Sequence, residues 1–344
     1  MECIAALDGG GSKTECLIAT PEGECLAWRR SGPSTTLYVP EDDARAAVED
    51  ALHGAMADAG LTEPPVAAGI VLPVGARMAH EIFRRAGLPP ERIWGFGEGT
   101  ACLTVATGGE TGLVIMAGTG SFAATIAEGR PVFFSGGMGP LLGDEGSGYA
   151  IGLAALKAVA KASDGRRVLP DAPDARPTDL SRRLCEHFGV ERPRAIVGKV
   201  YVPPLPRHQV AALAPLVSDA AAAGDAVAQA VLRQAAGELA EMARIALQHA
   251  GWSNEPFPLV LAGGVLTGSA LLRDEVCRLV RQYAPHAEPA LMQAPPVVGL
   301  GVETIARLQP ERRLAARMRL LATFRAVQAS AGEGPSEASR AAVP

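Results

Sequence analysis

Two glycine-rich turns in this sequence could bind an anion. Apolar residues 4–7 lead into the first turn, and apolar residues 113–116 lead into the second. A turn without Cβ atoms lets an anion reach several backbone N–H groups at once, and phosphate is the commonest anion that needs such a turn. A tight hairpin turn without a ligand is the alternative for either turn alone. The turns read Asp8-Gly9-Gly10-Gly11-Ser12-Lys13-Thr14 and Gly118-Thr119-Gly120-Ser121.

The two turns are also related to each other. In both, an apolar run precedes the glycines, and a strand-like run, a second turn and another apolar run follow. This internal similarity predicts two related halves. Each half would present a hairpin whose tip holds one end of a polyphosphate, in a cleft between the halves. The aligned positions are Gly9, Gly11 and Ser12 in the first turn and Gly118, Gly120 and Ser121 in the second.

One carboxylate distinguishes the first turn from the second. Asp8 precedes the first set of glycines, whereas Ala117 stands at the matching position of the second. Mg²⁺ is usually held by one or two carboxylates together with water and phosphate oxygens. Asp8 is therefore the candidate magnesium ligand. The neighbouring Lys13-Thr14 pair does not complete a P-loop, because Ser12 and Leu7 stand where that motif requires glycine.

A third block completes a resemblance to a known family. It runs from Gly136-Gly137-Met138-Gly139 through Gly143-Asp144-Glu145-Gly146-Ser147-Gly148-Tyr149. Together with the two turns, it resembles the N-acetylglucosamine kinase and BadF/BcrA-type ATPase family over most of the chain. The GDEGS part is highly specific to that family, whereas the GTGS turn is not. The family belongs to the sugar kinase, Hsp70 and actin superfamily.

The resemblance implies an α/β fold with two ribonuclease-H-like (actin-like ATPase) domains that flank an ATP cleft. The expected N-terminal domain spans residues 1–112 and carries the first phosphate turn. The expected C-terminal domain spans residues 113–328 and carries the second turn, the GDEGS block and an adenosine turn. Its last helix would return towards the first domain. Residues 329–344 are rich in Gly, Ser, Glu, Ala and Pro, which predicts a disordered tail.

The resemblance also implies which residues bind substrates. The backbone N–H groups of both turns would hold the phosphates of ATP, with Thr119 and Ser121 adding hydroxyl donors and Asp8 holding Mg²⁺. A third turn, Gly263-Gly264, would lie against the adenosine. The nucleotide-binding residues in the first turn are Gly9, Gly10, Gly11, Ser12, Lys13 and Thr14. The sugar-binding residues are Thr36, Gly137, Asp144 and Glu145, of which Asp144 matches the family's sugar-binding aspartate.

Glu98 is the candidate catalytic base. It lies between two glycines after the apolar run 93–96, and strand ends line the ligand crevice of open α/β sheets. A solvent-facing loop glutamate is the alternative. The family usually carries an aspartate here, and a displacement of about 1 Å can cost roughly a hundredfold in rate. Thr36 replaces a sugar-binding asparagine, and Pro73-Val74-Gly75 replaces a small polar segment. These departures leave the identity of the sugar open.

Composition excludes several classes of protein. The 344 residues are 48% hydrophobic with a mean hydropathy of +0.15, enough for two domains with a core each. A net charge of −5 argues against nucleic-acid binding, which needs clustered Lys and Arg. No apolar stretch reaches the roughly 18 residues of a membrane helix, so we expect a cytoplasmic protein without a membrane partner. The six cysteines form no CxxC motif, which predicts buried reduced thiols.

Apolar spacing and turn residues predict the remaining elements. We expect helices over 41–60, 78–86 and 149–161, and buried strands over 67–72 and 258–262. Residues 209–250 are Ala-rich and helical, with a break at Gly224 and an N-cap at Asp225. Residues 162–180 predict an exposed loop, and the glycines at 299 and 301 predict the start of the last helix.

Three functions are compatible with these residues. The first is an ATP- and Mg²⁺-dependent kinase whose partner is a small-molecule amino sugar, and a homodimer is compatible with it. The second is an ATPase activator of radical dehydratases, which needs cysteines that ligate an iron–sulfur cluster. No cysteine precedes the second turn, where Met116 and Ala117 stand. The third is a nucleotide or sugar sensor without activity, which the change to Glu98 would suggest.

Overall fold

A five-stranded mixed sheet lies at the centre of each of two units. The computed structural model describes residues 1–72, 75–168, 178–252 and 255–330. Unit 1 comprises residues 1–112, 126–131 and the chain from 290 onwards, and unit 2 comprises 113–125 and 132–289. The expected division after residue 112 coincides with the first of these boundaries. The chain after residue 289, which the sequence analysis grouped with the second domain as far as 328, belongs to unit 1.

The two sheets share one strand order. In the first sheet it is β3-β2-β1-β4-β5, and in the second it is β10-β9-β6-β7-β8. Each sheet therefore begins with three consecutive strands and adds two later ones beside the first of them, as two related halves require. The strands are β1 (Ile4–Gly9), β2 (Thr14–Ala19), β3 (Cys25–Ser31), β4 (Ala67–Val71), β5 (Ile93–Gly95), β6 (Gly112–Ala117), β7 (Ser121–Ala127), β8 (Arg130–Gly136), β9 (Phe257–Ala262) and β10 (Ala287–Leu291).

Helices lie in the connections from β3 to β6 and from β8 to β10, and others follow β10. Within the described residues they are α1 (Glu41–Asp58), α2 (Ala76–Arg85), α3 (Glu98–Thr107), α4 (Gly148–Ser163), α5 (Asp179–Phe188), α6 (Ile196–Tyr201), α7 (Arg207–Ala211), α8 (Ala214–Ala222), α9 (Ala226–Ala250), α10 (Gly264–Gly268), α11 (Ala270–Val280), α12 (Pro296–Leu308) and α13 (Arg313–Ser330). Short 3₁₀ turns precede β5, α6 and α13.

Strand β1 is buried on both faces, which explains its uninterrupted apolar sequence. Ala5 and Leu7 belong to a core formed with α1 and α2, whereas Ile4 and Ala6 belong to a second core formed with α3, α12 and α13. Successive side chains of a strand point to opposite faces, so a strand covered on both sides contains no polar positions. The first polar side chain of β1 is Asp8, at the edge of the sheet where the chain turns.

The predicted elements are largely found, with differences at their ends. Asp225 is the N-cap of α9, because its carboxylate accepts hydrogen bonds from the N–H groups of Val227 (2.9 Å) and Ala228 (3.0 Å). All six cysteines are buried thiols, as expected. The last predicted helix begins at Pro296 rather than at Gly299, because proline suits the first helical turn. Residues 169–177 of the predicted loop, Pro73 and Val74, and residues 331–344 of the predicted tail lie outside the described residues.

Helix α13, which the sequence analysis did not predict, continues to Ser330 and holds the C-terminal end of α3. The Arg317 guanidinium donates hydrogen bonds of 2.8–3.1 Å to the carbonyl groups of Thr104, Val105 and Ala106. These are carbonyls that a helix end leaves without partners. The neighbouring Glu303 of α12 is buried, accepts a hydrogen bond from the Thr104 hydroxyl and pairs with Arg313 at 2.5 Å. Burial raises the pKa of the Glu303 carboxyl, while Thr104 and Arg313 oppose that rise.

No single helix in the described ranges is long and apolar enough to cross a membrane. Residues 207–222 and 226–250 meet the length and composition criteria only together, and they are bent by 120° at their junction.

Two helical glycines, one at the contact between α12 and α3 and one without a close neighbour, give a matched test of how tightly α12 packs on α3. A Cβ atom at Gly299 would lie 2.0 Å from the Ala101 carbonyl oxygen, whereas one at Gly237 of α9 would meet nothing within 4 Å. We expect Gly299→Ala to lower the free energy of unfolding by about 1–3 kcal/mol through overpacking. We expect Gly237→Ala to raise it by about 0.5–1 kcal/mol because alanine loses less chain entropy. Urea unfolding followed by circular dichroism measures both, and equal effects would contradict the close contact between α12 and α3.

Candidate functional site

In unit 1, the first glycine turn joins β1 to β2 and is hydrogen-bonded to the loop that follows β3. The Gly10 N–H donates to the Lys13 carbonyl (2.9 Å), and the Gly10 carbonyl accepts from the Ser34 N–H (3.1 Å). A Cβ atom at Gly9 would lie 2.4 Å from Ser34 Oγ and 2.6 Å from Leu72 Cδ1. The absence of a side chain at Gly9 therefore serves the packing of this loop, a reason that the sequence does not reveal.

Thr14 and Thr36 flank the contact between the first glycine turn and the loop that contains Ser34. Thr14 is fully buried in β2; its hydroxyl donates to the Gly32 carbonyl (2.8 Å) and shares a hydrogen bond with Ser34 Oγ (2.7 Å). The single hydroxyl proton of Thr14 is thus used inside the unit, and contact between Thr14 and a nucleotide stays a prediction. Thr36 begins the next turn and is half-buried. Thr14 therefore positions the loop that carries Thr36.

Asp8 faces two other carboxylates. It pairs with Glu15 in the β1–β2 register, and Glu15 pairs with Arg30 in the β2–β3 register, so these three side chains share one face of the sheet. Glu15 is fully buried and has two cationic partners: Arg30 Nη2 at 3.1 Å and Lys13 Nζ at 2.8 Å. The third carboxyl group is that of Glu98, the first residue of α3, which covers the same face.

Burial raises the pKa of two of these carboxyl groups. Burial raises the pKa of Asp8 well above its usual range, and the nearby Glu98 and Glu15 raise it further against a smaller opposite effect of Lys13. Burial raises the pKa of Glu98 to about 7, and Lys13 again opposes the rise. Glu15 has two cationic partners of its own. Asp8 and Glu98 are therefore the carboxyl groups that an added cation would stabilise most.

The donor set around Asp8 fits Mg²⁺ better than a metal held by protein side chains alone. Across residues 1–72, 75–168, 178–252 and 255–330, no three His, Cys, Asp or Glu side chains come together in a way that could hold a metal ion. A cation beside Asp8 would take most of its ligands from water and phosphate, which is the usual coordination of Mg²⁺. The residues present therefore fit the expected metal.

Glu98 occupies a different backbone position from the one predicted. Strand β5 ends at Gly95, and Glu98 is the first residue of α3 rather than the end of the strand. Its backbone is consequently fixed by a helix that Arg317 and Gly299 hold from the other side. One turn further along α3, burial raises the pKa of the Cys102 thiol, and Glu98 and Asp8 raise it further, so this thiol stays protonated.

In unit 2, the second glycine turn is fastened to the GDEGS block. The Ser121 N–H donates to Asp144 Oδ1 (3.3 Å), and the Ser121 hydroxyl donates to the Glu145 carbonyl (2.6 Å). The Gly148 N–H, at the start of α4, donates to the Gly118 carbonyl (2.8 Å). Both donors of Ser121 are thus used within the unit. Phosphate binding by these donors stays a prediction, and it would require them to exchange these partners.

Asp144 is not the N-cap of α4, a role that Ser147 performs. Asp144 is 3% exposed and adopts a left-handed backbone conformation, with φ of +62°. Burial raises the pKa of its carboxyl, while Arg207 and the Ser121 N–H oppose the rise. Glu145 is exposed at the surface, and the Gly137 N–H donates to the Ser121 carbonyl (2.9 Å). Asp144, Glu145 and Gly137 are thus all joined to the second turn through Ser121.

Arg207, at the start of α7, is a site residue that the sequence analysis missed. It forms an ion pair with Asp144, and its Nη2 atom donates to the Thr119 carbonyl (3.4 Å). Its guanidinium lies 5.9 Å from the centre of the Tyr149 ring. Arg207 follows Asp144 by 63 residues in a segment with several other arginines. No local pattern distinguishes it, although a buried carboxylate by itself predicts that some cation must lie nearby.

The third glycine turn lies beside the second at one edge of the second sheet. Strands β6 and β9 run parallel, with Met116 opposite Ala262, so the turns that follow them meet at the same edge. Gly263 has φ of +87°, and a Cβ atom there would lie 2.3 Å from the Ala117 carbonyl oxygen. Only glycine fits both requirements. Gly264 begins α10.

Several characterised proteins are similar to this chain. An N-acetylmuramic acid/N-acetylglucosamine kinase of Clostridium acetobutylicum is 26% identical over 297 residues, which are 84% of this chain and 93% of the relative. An N-acetyl-D-glucosamine kinase of Dictyostelium discoideum is 28% identical over 303 residues, 83% of this chain and 92% of the relative. A glucosamine kinase of Vibrio cholerae is 28% identical over 256 residues, 73% of this chain and 82% of the relative.

Solved structures confirm the predicted fold. A Chromobacterium violaceum protein, solved as a candidate N-acetylglucosamine kinase, matches with a TM-score of 0.66 and 27% identity, over 88% of this chain and 99% of that one. A ROK family glucokinase of Streptomyces griseus matches with a TM-score of 0.54 and 19% identity, over 90% and 99% of the two chains. This protein therefore has the actin-like ATPase fold, with two five-stranded mixed sheets.

A sequence profile of one ATPase family matches residues 7–299. The match includes all three glycine turns and the GDEGS block, and it implies the use of ATP. The chain belongs to the BadF/BadG/BcrA/BcrD ATPase family, as the resemblance predicted.

Proposed function

We propose that this protein is an ATP-dependent kinase that phosphorylates a hydroxyl group of an amino sugar such as N-acetylglucosamine or glucosamine. The pair of half-buried carboxylic side chains, Asp8 and Glu98, beside the first glycine turn is the observation that carries the proposal. Phosphoryl transfer requires a metal-binding carboxylate and a base close to bound phosphates. The amino-sugar kinases among the relatives support the substrate class.

In the proposed reaction, Glu98 accepts the proton of the sugar hydroxyl while the hydroxyl oxygen attacks the γ-phosphorus of ATP. A bond forms between the sugar oxygen and phosphorus, and the bond from the γ-phosphorus to the β,γ-bridging oxygen breaks. The electron pair of that bond leaves with ADP, and the products are the sugar phosphate, ADP and a proton on Glu98. A pKa raised to about 7 suits a base that must accept a proton near neutral pH.

Asp8 would hold Mg²⁺ together with oxygens of the bound phosphates. The metal, when bound, offsets the negative charge of the transferring group. Lys13 is 43% exposed at the side chain and pairs with Glu15, which leaves its charge beside the first turn. The further nucleotide contacts that we propose in unit 1 are the backbone groups of Gly9, Gly10, Gly11, Ser12 and Thr14.

In unit 2, we propose that Asp144 accepts hydrogen bonds from sugar hydroxyl groups. An ionised carboxylate offers about four acceptor positions, and Asp144 uses some of them for Ser121 and Arg207. Gly137 and Glu145 would add sugar contacts, as would Thr36 of unit 1. The nucleotide contacts that we propose in unit 2 are Gly118, Thr119, Gly120, Ser121, Gly263 and Gly264, of which Ser121 would act through the position of its backbone.

The positions of the cysteines do not favour an iron–sulfur ATPase activator. All six are buried, and burial raises the pKa of the Cys16 and Cys25 thiols to about 12. A cluster ligand is a thiolate, and burial disfavours that form when no metal is bound.

A sugar panel tests the proposal directly. ADP release is measured with ATP, MgCl₂ and each of N-acetylglucosamine, glucosamine, N-acetylmuramic acid and glucose, and mass spectrometry identifies the phosphorylated product. We expect turnover with at least one amino sugar and a product heavier by one phosphoryl group. ATP hydrolysis at one rate with and without every sugar would refute the kinase assignment.

The assignment of Glu98 as the base predicts a large loss of kcat when its carboxyl group is replaced by an amide. Glu98→Gln should lower kcat by about 10²- to 10⁴-fold, because a positioned base contributes that much, with little change in substrate affinity. Glu91→Gln, at an exposed position before β5, is the matched control and should retain wild-type turnover. Glu98→Asp should also lower kcat if the site is built around the longer side chain. Full sugar-dependent turnover in Glu98→Gln would show that another group accepts the proton.

The assignment of Asp8 predicts loss of turnover without loss of stability. Asp8→Ala removes the carboxylate that would hold Mg²⁺, so ADP release should fall to background at every Mg²⁺ concentration. The same change removes a carboxyl group whose ionised form is disfavoured by burial and by the nearby Glu98 and Glu15, so the melting temperature should hold or rise. Asp58→Ala, which removes an exposed partner of Arg29, is the control and should remain active. Wild-type turnover in Asp8→Ala at saturating Mg²⁺ would contradict the assignment.

A further inference from the structure

We propose that Arg207 binds the phosphate that occupies the second glycine turn, and that Asp144 holds its guanidinium there. The inference rests on the proposed function for the identity of the anion, a nucleotide phosphate. Arg207 comes from α7, 88 residues after Thr119 and outside the recognised motifs.

The donors of the turn show why a further cation is required. The Gly118 N–H donates to the Gly120 carbonyl at 2.9 Å, and the Ser121 N–H donates to Asp144 at 3.3 Å. The Ser121 hydroxyl donates to the Glu145 carbonyl at 2.6 Å. Three donors that the sequence assigned to the phosphate are therefore already used within the unit. The turn needs another source of positive charge to bind a phosphate strongly.

The Arg207 guanidinium lies against this turn. Its Nη2 atom is 3.4 Å from the Thr119 carbonyl oxygen, and a Cβ atom at Gly120 would lie 3.0 Å from the same nitrogen. Absence of a side chain at Gly120 leaves room for the guanidinium at the point where the turn exposes its backbone. A guanidinium presents five N–H donors in a planar fork that matches phosphate oxygens, and it remains charged at every physiological pH.

The guanidinium is also held in advance of ligand binding. Its side chain is 17% exposed, it pairs with Asp144, and it lies over the Tyr149 ring. Helix α7 itself packs closely on α4, since a Cβ atom at Gly152 would lie 2.0 Å from the Val210 carbonyl oxygen. A charge fixed in this way costs no reorganisation when the anion arrives, which strengthens its interaction with phosphate.

A purely structural role for Arg207 makes a different prediction. Arg207 would then only neutralise the buried Asp144, and its removal would damage sugar binding through Asp144 while nucleotide binding survived. If Arg207 binds phosphate, its removal damages nucleotide binding directly. Separate affinities for the two ligands distinguish these roles, which a measurement of turnover alone would not.

The experiment compares wild type, Arg207→Met and Arg207→Lys by isothermal titration calorimetry. The titrants are MgATP, inorganic pyrophosphate and adenosine, each without sugar, and then N-acetylglucosamine without nucleotide. We expect Arg207→Met to weaken MgATP and pyrophosphate binding by roughly 10- to 100-fold, as for a lost charged hydrogen bond, and to leave adenosine binding unchanged. Arg207→Lys should lose less, because it keeps the charge without the fork. Arg278→Met, which removes an exposed partner of Glu275, should match wild type.

Two results would overturn the inference. One is wild-type affinity of Arg207→Met for both MgATP and pyrophosphate, or of Arg207→Lys where Arg207→Met does not fold, with or without weaker sugar binding. The other is failure of wild type to bind either anion, which would also refute the proposed function. If wild type binds pyrophosphate but not ATP, the proposed function fails alone, and a loss of pyrophosphate binding in Arg207→Lys still supports the inference. Arg207→Lys also covers the case in which Arg207→Met does not fold, which its melting curve reveals.

Discussion

The contact between α12 and α3 is the constraint on which unit 1 depends. The two helices approach so closely at Gly299 that a Cβ atom there would lie 2.0 Å from the Ala101 carbonyl oxygen. At the C-terminal end, Arg317 satisfies three carbonyl groups, and the buried Glu303 joins Thr104 to Arg313. A helix held along its length and at its end presents its first residue in one position. The packing of α3 therefore determines the position of the Glu98 backbone.

In unit 2, a buried ion pair rather than helix packing positions the candidate site residues. Asp144 connects the second glycine turn, the start of α4 and α7, through Ser121 and Arg207. Burying two charges is costly, and replacing such a pair by apolar residues is often neutral or stabilising. Asp144 also adopts a left-handed backbone conformation that a residue with a side chain rarely takes. A pair kept despite both costs is better explained by its position beside the turn than by stability.

The sequence predicted the parts of the fold that local patterns determine. Apolar runs gave the strands, glycine-rich turns gave their ends, and Asp225 gave the start of α9, because each depends on residues close together in the chain. The internal similarity of the two turns anticipated the common strand order of the two sheets. The resemblance of the GDEGS block identified the family, which local patterns alone would not have done.

The features that the sequence did not predict depend on distant partners. Nothing in the sequence near Arg207 distinguishes it from the other arginines, and only the fold places it beside Asp144. The Ser121 hydroxyl was expected to donate to a ligand, but it donates to the Glu145 carbonyl, and the Thr14 hydroxyl donates to the Gly32 carbonyl. Only the packed structure reveals these partners. The role of α13 likewise depends on contacts over more than 200 residues.

Those long contacts have a consequence for biosynthesis. Strands β1 to β3 leave the ribosome well before α13, which contacts β3: the Cys25 N–H donates to Thr323 Oγ1, 298 residues later, and Trp28 packs edge-on against Phe324. Unit 2, which ends at residue 289, emerges whole before α12 and α13 are made. Domains generally fold as units during synthesis, and exposed strand edges invite aggregation. The nascent first unit can therefore cover one face of its sheet with α1 and α2, but the other face stays partly exposed until α12 and α13 are made.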